Sequence, residues 1–211
     1  MQAVLLSSAY LAPIQYYSKL LHASEVYIEC YCHYMKQSYR NRCLITGPNG
    51  PLTLTIPVEK DAPKVFTKDI RISDHGNWRH LHWNALEAAY NSTPFFEYYS
   101  DDFRPFYEKQ YKYLFDFNDE LCRMICRLIG FEPQLNYSTS YMQSDTYSYC
   151  DDLREKIHPK SGFETADQHY NLSPYYQVFQ QKNGFIPHLS IVDLLFNMGP
   201  ESILVLRKSF R

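Results

Sequence analysis

AVLLSSAYLAPIQYYSKLLHASEVYIECY, residues 3–31, is the stretch that decides the fold. Ala3-Val4-Leu5-Leu6 is a short apolar run of the buried-strand kind, and Ser7 and Ser8 break it. Pro13 suits the first turn of a helix, which Ile14, Tyr17, Leu20 and Leu21 continue with apolar side chains. Glu25 to Tyr31 alternates and is partly β-branched, the pattern of a second strand. A strand, a helix and a strand within about 30 residues form a βαβ unit, whose crossover lays the two strands parallel.

Downstream, Arg42 to Ile45 and Leu52 to Val58 flank the turn cluster Gly47-Pro48-Asn49-Gly50-Pro51. Two alternating runs around such a cluster predict a hairpin, which would add an antiparallel element to the sheet. Thr67 to Ile72 alternates as a further short strand would. Three helices are expected next. The first is capped by Asp74 and buries Trp78, Leu81, His82, Ala85, Leu86, Ala89 and Tyr90. The second starts at Asp101 or Asp102. The third starts near Asn118, packs Leu121, Cys122, Ile125, Cys126 and Ile129, and stops at Gly130. Residues 132–184 are polar and tyrosine-rich and read as loops, with a short strand near Gln134 to Tyr137 and a short helix near Asp151. A helix over His188 to Asn197, a stop at Gly199-Pro200 and another helix from Glu201 complete the chain. The expectation is one α/β domain over residues 1–211, with a mixed sheet of about five strands, flanking helices and a helical C-terminal end.

Composition narrows the functional classes. A net charge of -2 offers no strong basic field, which argues against nucleic acid as the main partner. No run of about 18 apolar residues occurs, so no membrane span is expected. The N-terminus lacks the basic start and long apolar core of a secretory leader. The six cysteines are therefore expected to stay reduced, in a cytoplasmic protein. Cys30-Tyr-Cys32-His33 is too tightly spaced for a structural zinc site, and Cys122 and Cys126 fall on a core stripe, so neither a metal nor another cofactor is expected. The 20 tyrosines and 13 phenylalanines suit either a half-wet core or a site for sugar rings and bases.

Lys36-Gln-Ser-Tyr-Arg40-Asn41-Arg42 holds three cations in seven residues with no acid between them. On an extended backbone Arg40 and Arg42 would share a face and clamp a phosphate or carboxylate; the alternative is a solvated basic strand, or an arginine paired with an internal carboxylate. His82 lies on an apolar stripe, as a buried neutral imidazole would, yet a histidine also suits a general base or a ligand contact. Ser190, Asp193 and Asn197 form the one polar line on an apolar helix. That line is either its wet, capping side or a buried, hydrogen-bonded one. Phosphate-cradling glycine loops, a G-x-S-x-G elbow and H-E-x-x-H are absent from the sequence.

Several motifs together match a known pattern. These are Tyr10-Leu11 with Tyr16-Tyr17 and Lys19, the Tyr39-Arg40-Asn41-Arg42 stretch, and Leu54 to Val58. Asp74, Trp78, His82 and Tyr90 follow, then Asp116 with Asn118, and above all LSIVDLLFNMGPE at 189–201. Over nearly its whole length the chain resembles the WbqC-like protein family of bacteria. The resemblance implies a transferase of surface-polysaccharide (O-antigen-type) biosynthesis, acting on an anionic nucleotide- or phosphate-linked sugar, with transfer of an aminoacyl group such as glycine as one form of the reaction. Lys36, Arg40, Asn41 and Arg42 are then expected to hold the anion, with Tyr10, Trp78 and Asn197 as further substrate contacts. His82 and Asp193 would orient or deprotonate the acceptor. Many relatives carry His-Gln-Pro where this chain has Leu6-Ser7-Ser8, which motivates the alternative of a non-catalytic binding module supporting a cell-envelope enzyme. Oligomeric state is not legible in the sequence.

Overall fold

The structure, a computed structural model, describes residues 3–59, 65–143, 150–160, 167 and 169–210. Strand β1 (Ala3–Ser7) runs into helix α1 (Ile14–His22), with Pro13 at its N-cap, and then into β2 (Val26–Glu29). The two strands pair in parallel, Val4 opposite Val26 and Leu6 opposite Ile28, as the βαβ reading requires. Every residue of β1 is buried, which is why its run is apolar throughout instead of alternating. Two short strands complete a four-stranded, all-parallel sheet in the order β5-β2-β1-β6: β5 (Leu135–Tyr137) beside β2, and β6 (Cys150–Asp152) beside β1.

The predicted hairpin forms as β3 (Arg42–Gly47) and β4 (Gly50–Thr55), turning at Pro48-Asn49. It makes its own two-stranded antiparallel sheet and does not join the parallel one. The architecture is thus mixed α/β, with the antiparallel element set apart. Three local expectations are corrected. Thr67 to Ile72 forms a 3-10 turn over Thr67–Asp69 with isolated bridges from Arg71 and Ile72, because its partners are single residues on separate segments. Asp101 and Asp102 lie inside a helix that starts five residues earlier. Asp151 lies in β6, where pairing with Val4 overrides the helical propensity of its charged neighbours.

Helices α2 (Trp78–Tyr90), α3 (Phe96–Glu108) and α4 (Leu114–Ile129) follow the hairpin. Asn77, in the left-handed region, replaces Asp74 as the residue at the head of α2, and Asp74 instead pairs with Arg79. Gly130 ends α4 as expected: at φ 96 its N–H reaches the carbonyls of Cys126 and Arg127. After a four-residue helix α5 (Gln180–Asn183) come α6 (Ile191–Met198) and α7 (Ser202–Lys208), the helical C-terminal end. Helix α6 is buried almost all round. Its Phe196 sits 5.2 Å from Tyr90 and 5.1 Å from both Phe96 and Phe103, so one ring joins α2, α3 and α6 in an aromatic hub. Among the described residues no helix is long and apolar enough to cross a membrane.

Candidate functional site

The parallel sheet fixes where a ligand would bind. From β1 the chain passes to β2 and β5 on one side, while β6 pairs on the other, so the direction of strand addition reverses between β1 and β6. In open parallel sheets the carboxyl ends of the strands on either side of such a reversal splay apart into a crevice. Here the crevice is lined by Ser7 and Ser8 at the end of β1, by Leu153 and Arg154 after β6, and by Ser38, Tyr39 and Arg40. It holds about 10 Å³, room for about one water molecule. Arg154 also lines a larger hollow of about 470 Å³, together with Cys32, Tyr141, Asp152, Glu155 and Lys156, a size usual for small-ligand sites.

Both arginines of the crevice are buried and held. The Arg40 Nη2 donates to Glu155 Oε1 at 2.8 Å and lies 3.6 Å from Cys32 Sγ, while its Nε is buried with no partner among the described residues. Burial works to lower the Arg40 pKa, but Glu155 and Cys32 outweigh it and the net direction is upward. Arg154 grips Asp152 with Nε at 2.9 Å and Nη2 at 2.6 Å, reaches Glu29 through Nη1 at 3.0 Å and covers the Tyr141 ring. Glu29 is fully buried at the end of β2 and also accepts from the backbone N–H groups of Tyr31 and Met142 and from Ser138. For Arg40 the structure thus bears out the reading of an arginine paired with an internal carboxylate: a guanidinium buried this deeply requires a counter-charge, and Glu155 supplies it.

The rest of that segment divides by role. Residues 36–41 form turns, so Arg40 and Arg42 do not alternate along one extended face. Arg42, half-buried in β3, makes no ion pair among the described residues and leaves its Nε without a partner. Asn41 is committed to the fold, accepting from the Tyr34 hydroxyl at 2.8 Å and donating to the Ile56 carbonyl at 2.7 Å. Lys36 is exposed and lines none of the hollows described here.

His82, Tyr10 and Trp78 do come together, but inside the core. The Tyr10 hydroxyl lies 2.9 Å from both His82 Nδ1 and the Tyr107 hydroxyl, Trp78 packs edge-on at 5.1 Å from the His82 ring, and the Thr55 backbone provides the imidazole's other hydrogen bond. Burial lowers the His82 pKa to about 4, so the ring is neutral at physiological pH and satisfied at both nitrogens. Asp193 and Asn197 form a separate network, and the wet-face reading of that polar line is corrected. Asp193 is fully buried and accepts from Tyr175 at 2.6 Å and Gln177 at 3.1 Å. Asn197 bonds the Val178 N–H and the Asp193 carbonyl. Ser190 alone acts as a cap, accepting from the Val192 N–H. Burial raises the Asp193 pKa to about 6 against those hydrogen bonds.

The structure thus brings Arg40 to the crevice and leaves His82 and Asp193 in two other places. Arg154, Glu155, Lys156 and Glu29 escaped the sequence reading. The only local signal was the charge run Asp151-Asp152-Leu153-Arg154-Glu155-Lys156, which on its own resembles a solvated helix. No group of three His, Cys, Asp or Glu side chains among the described residues is placed to hold a metal ion.

Comparison with known proteins agrees with the motifs. An uncharacterized protein of Mycobacterium tuberculosis is 27% identical over 222 residues, covering 95% of this chain and 95% of that protein. No solved structure was found to match the chain. The model of the WbqC-like protein family matches residues 8–158 and 152–205, a span that takes in the crevice from Ser8 onward, the His82 network and α6, and the chain belongs to that family.

Proposed function

We propose that the protein is a cytoplasmic transferase of surface-polysaccharide biosynthesis, binding an anionic phosphate- or nucleotide-linked sugar in the crevice at the carboxyl ends of β1 and β6. The observation that carries this reading is Arg40, 2% exposed, with an unpartnered Nε, beside Arg154 at the strand-order reversal. A guanidinium donor without an acceptor among the described residues suits an oxygen of the ligand, and the 470 Å³ hollow beyond Arg154 accommodates the remainder. Arg42 adds positive charge from the next strand, and Lys36 adds it from the surface. In this proposal His82 and Asp193 act as positioning residues that hold the framework around the site. Aminoacyl transfer is the finer form of the reaction.

Thermal-shift measurements with pyrophosphate, UDP and UDP-sugars test the reading. Stabilisation of wild type by several degrees at millimolar ligand is expected, with weaker stabilisation in Arg40→Lys, which keeps the charge and loses the fork, and in Arg42→Gln. Wild type that none of these ligands stabilises would sink the proposal. The second reading, a binding module, is favoured by one observation: among the described residues no histidine lines the crevice or its larger hollow. Binding of a nucleotide sugar without turnover, together with a defined protein partner, would select it.

A further inference from the structure

A hollow of about 520 Å³, sharing no described residue with the crevice or its larger hollow, opens between α2 and α3. From α2 it is lined by His80, Trp83, Asn84 and Glu87, whose i, i+3, i+4, i+7 spacing makes one helix face beside the buried stripe. Helix α3 adds Arg104, Tyr107 and Glu108. The floor is held by the core. Tyr107 is 5% exposed and lies 2.9 Å from the Tyr10 hydroxyl, and the half-buried Trp83 ring stands 5.9 Å from Tyr107 and 6.0 Å from Phe96. The charges above that floor are left open. Glu87 and Glu108 make no ion pair or side-chain hydrogen bond among the described residues. Arg104 precedes Glu108 by four residues, a spacing that brings opposite charges together on a helix. It lies instead over the Trp83 ring at 5.2 Å, with no hydrogen bond from its guanidinium among the described residues. Arg79 also lines the hollow, but it is taken up by Asp74 and by the Trp78 ring, 5.3 Å away.

We propose that this hollow binds a neutral sugar ring, with hydroxyls donating to Glu87 and Glu108 and a hydroxyl or ring oxygen accepting from Arg104. The mixture of free groups selects that class. An anion would meet two unpaired carboxylates. A cation would meet the Arg104 guanidinium, already seated on the indole that a cation would use. A hydroxyl both donates and accepts, so one polyol satisfies carboxylates and guanidinium together. The cation–π contact also holds the planar Arg104 fork at the hollow, which lowers the entropy lost when it binds. Trp83 presents an apolar body with a polar N–H, suited to a half-wet wall against the C–H face of the ring. A hollow of about 520 Å³ is of the size usual for small-ligand sites. None of this rests on the crevice, so the two readings stand or fall separately.

Indole N–H resonances of the isotope-labelled full chain test this. The chain has two tryptophans; Trp83→Phe assigns the Trp83 signal, and Trp78, buried in the core, reports that variants are folded. Methyl glycosides of glucose, galactose and mannose are the probes. Glucuronate is the anionic control, and a glucoside with an aminomethyl group in place of its hydroxymethyl is the cationic one. At least one neutral glycoside is expected to move the Trp83 signal saturably at millimolar concentration, with both charged sugars binding about tenfold more weakly. Glu87→Ala and Arg104→Ala, at exposed helical positions, should each weaken that glycoside by about tenfold, the loss of a hydrogen bond to a charged group. A Trp83 signal that no neutral glycoside moves overturns the inference. So does a charged sugar that binds as well as the best neutral one, or wild-type affinity in both variants. Pyrophosphate and UDP read the crevice separately: if they stabilise the protein while the glycosides do nothing, this site alone fails, and in the reverse case the crevice alone fails.

Discussion

Glu29 and Arg154, at the carboxyl ends of β2 and β6, meet at 3.0 Å across the end of the intervening strand β1. Glu29 is fully buried and Arg154 nearly so, so their contact ties both flanks of the crevice to one charge pair. Breaking such a pair from one side leaves the other charge desolvated.

Glu29→Ala is accordingly expected to destabilise the protein by about 3 kcal/mol in urea unfolding. The other Arg154 partner, Asp152, has a side chain 27% exposed, and Asp152→Asn should cost about 1 kcal/mol or less. Equal losses in the two variants would show that Glu29 does not hold the site together.

Two buried titrations oppose each other in acid. His82 has its folded pKa lowered to about 4 from 6.5, so the unfolded chain binds the extra proton and stability is lost as pH falls from 6.5 through about 4. Asp193 has its folded pKa raised to about 6 from 3.8, so the folded state binds the proton, and that contribution is lost as pH rises from 3.8 through about 6. Each is worth about 3 kcal/mol across its window. Relative to wild type, Asp193→Asn should therefore lose stability more steeply on acidification, and His82→Gln should gain stability on acidification between pH 6 and 4. Parallel curves for wild type and both variants would refute the opposition.

Gly199 follows α6 at φ 53, and a Cβ there would stand 2.5 Å from the Phe95 ring. Gly199→Ala is expected to cost about 2 kcal/mol or more, combining the left-handed backbone with the clash. Phe95→Ala in the same chain should recover the steric part and leave about 1 kcal/mol of backbone strain. Strict additivity in that double-mutant cycle would place the cost wholly in the backbone.

The sequence by itself determined the β1-α1-β2 unit, the hairpin, the core face of α2 except for Leu81, which was expected inside and is 59% exposed, and the span of α4 near its stop, because burial repeats at a local period that one strand or helix displays. It also carried family membership, through the 189–201 motif above all. Only the tertiary structure decided which charges meet. Arg40 finds Glu155 115 residues away, Arg154 finds Glu29 at a separation of 125, and Tyr10 finds His82 at 72. A periodic pattern states that a side chain is inside, not what it faces there. For the same reason Asp193 read as a wet residue on an apolar helix, when Tyr175 and Gln177 from another segment enclose it. The crevice likewise exists only because β6 joins β1 on the side that β2 leaves open, an assembly of distant segments that no local stretch of residues records.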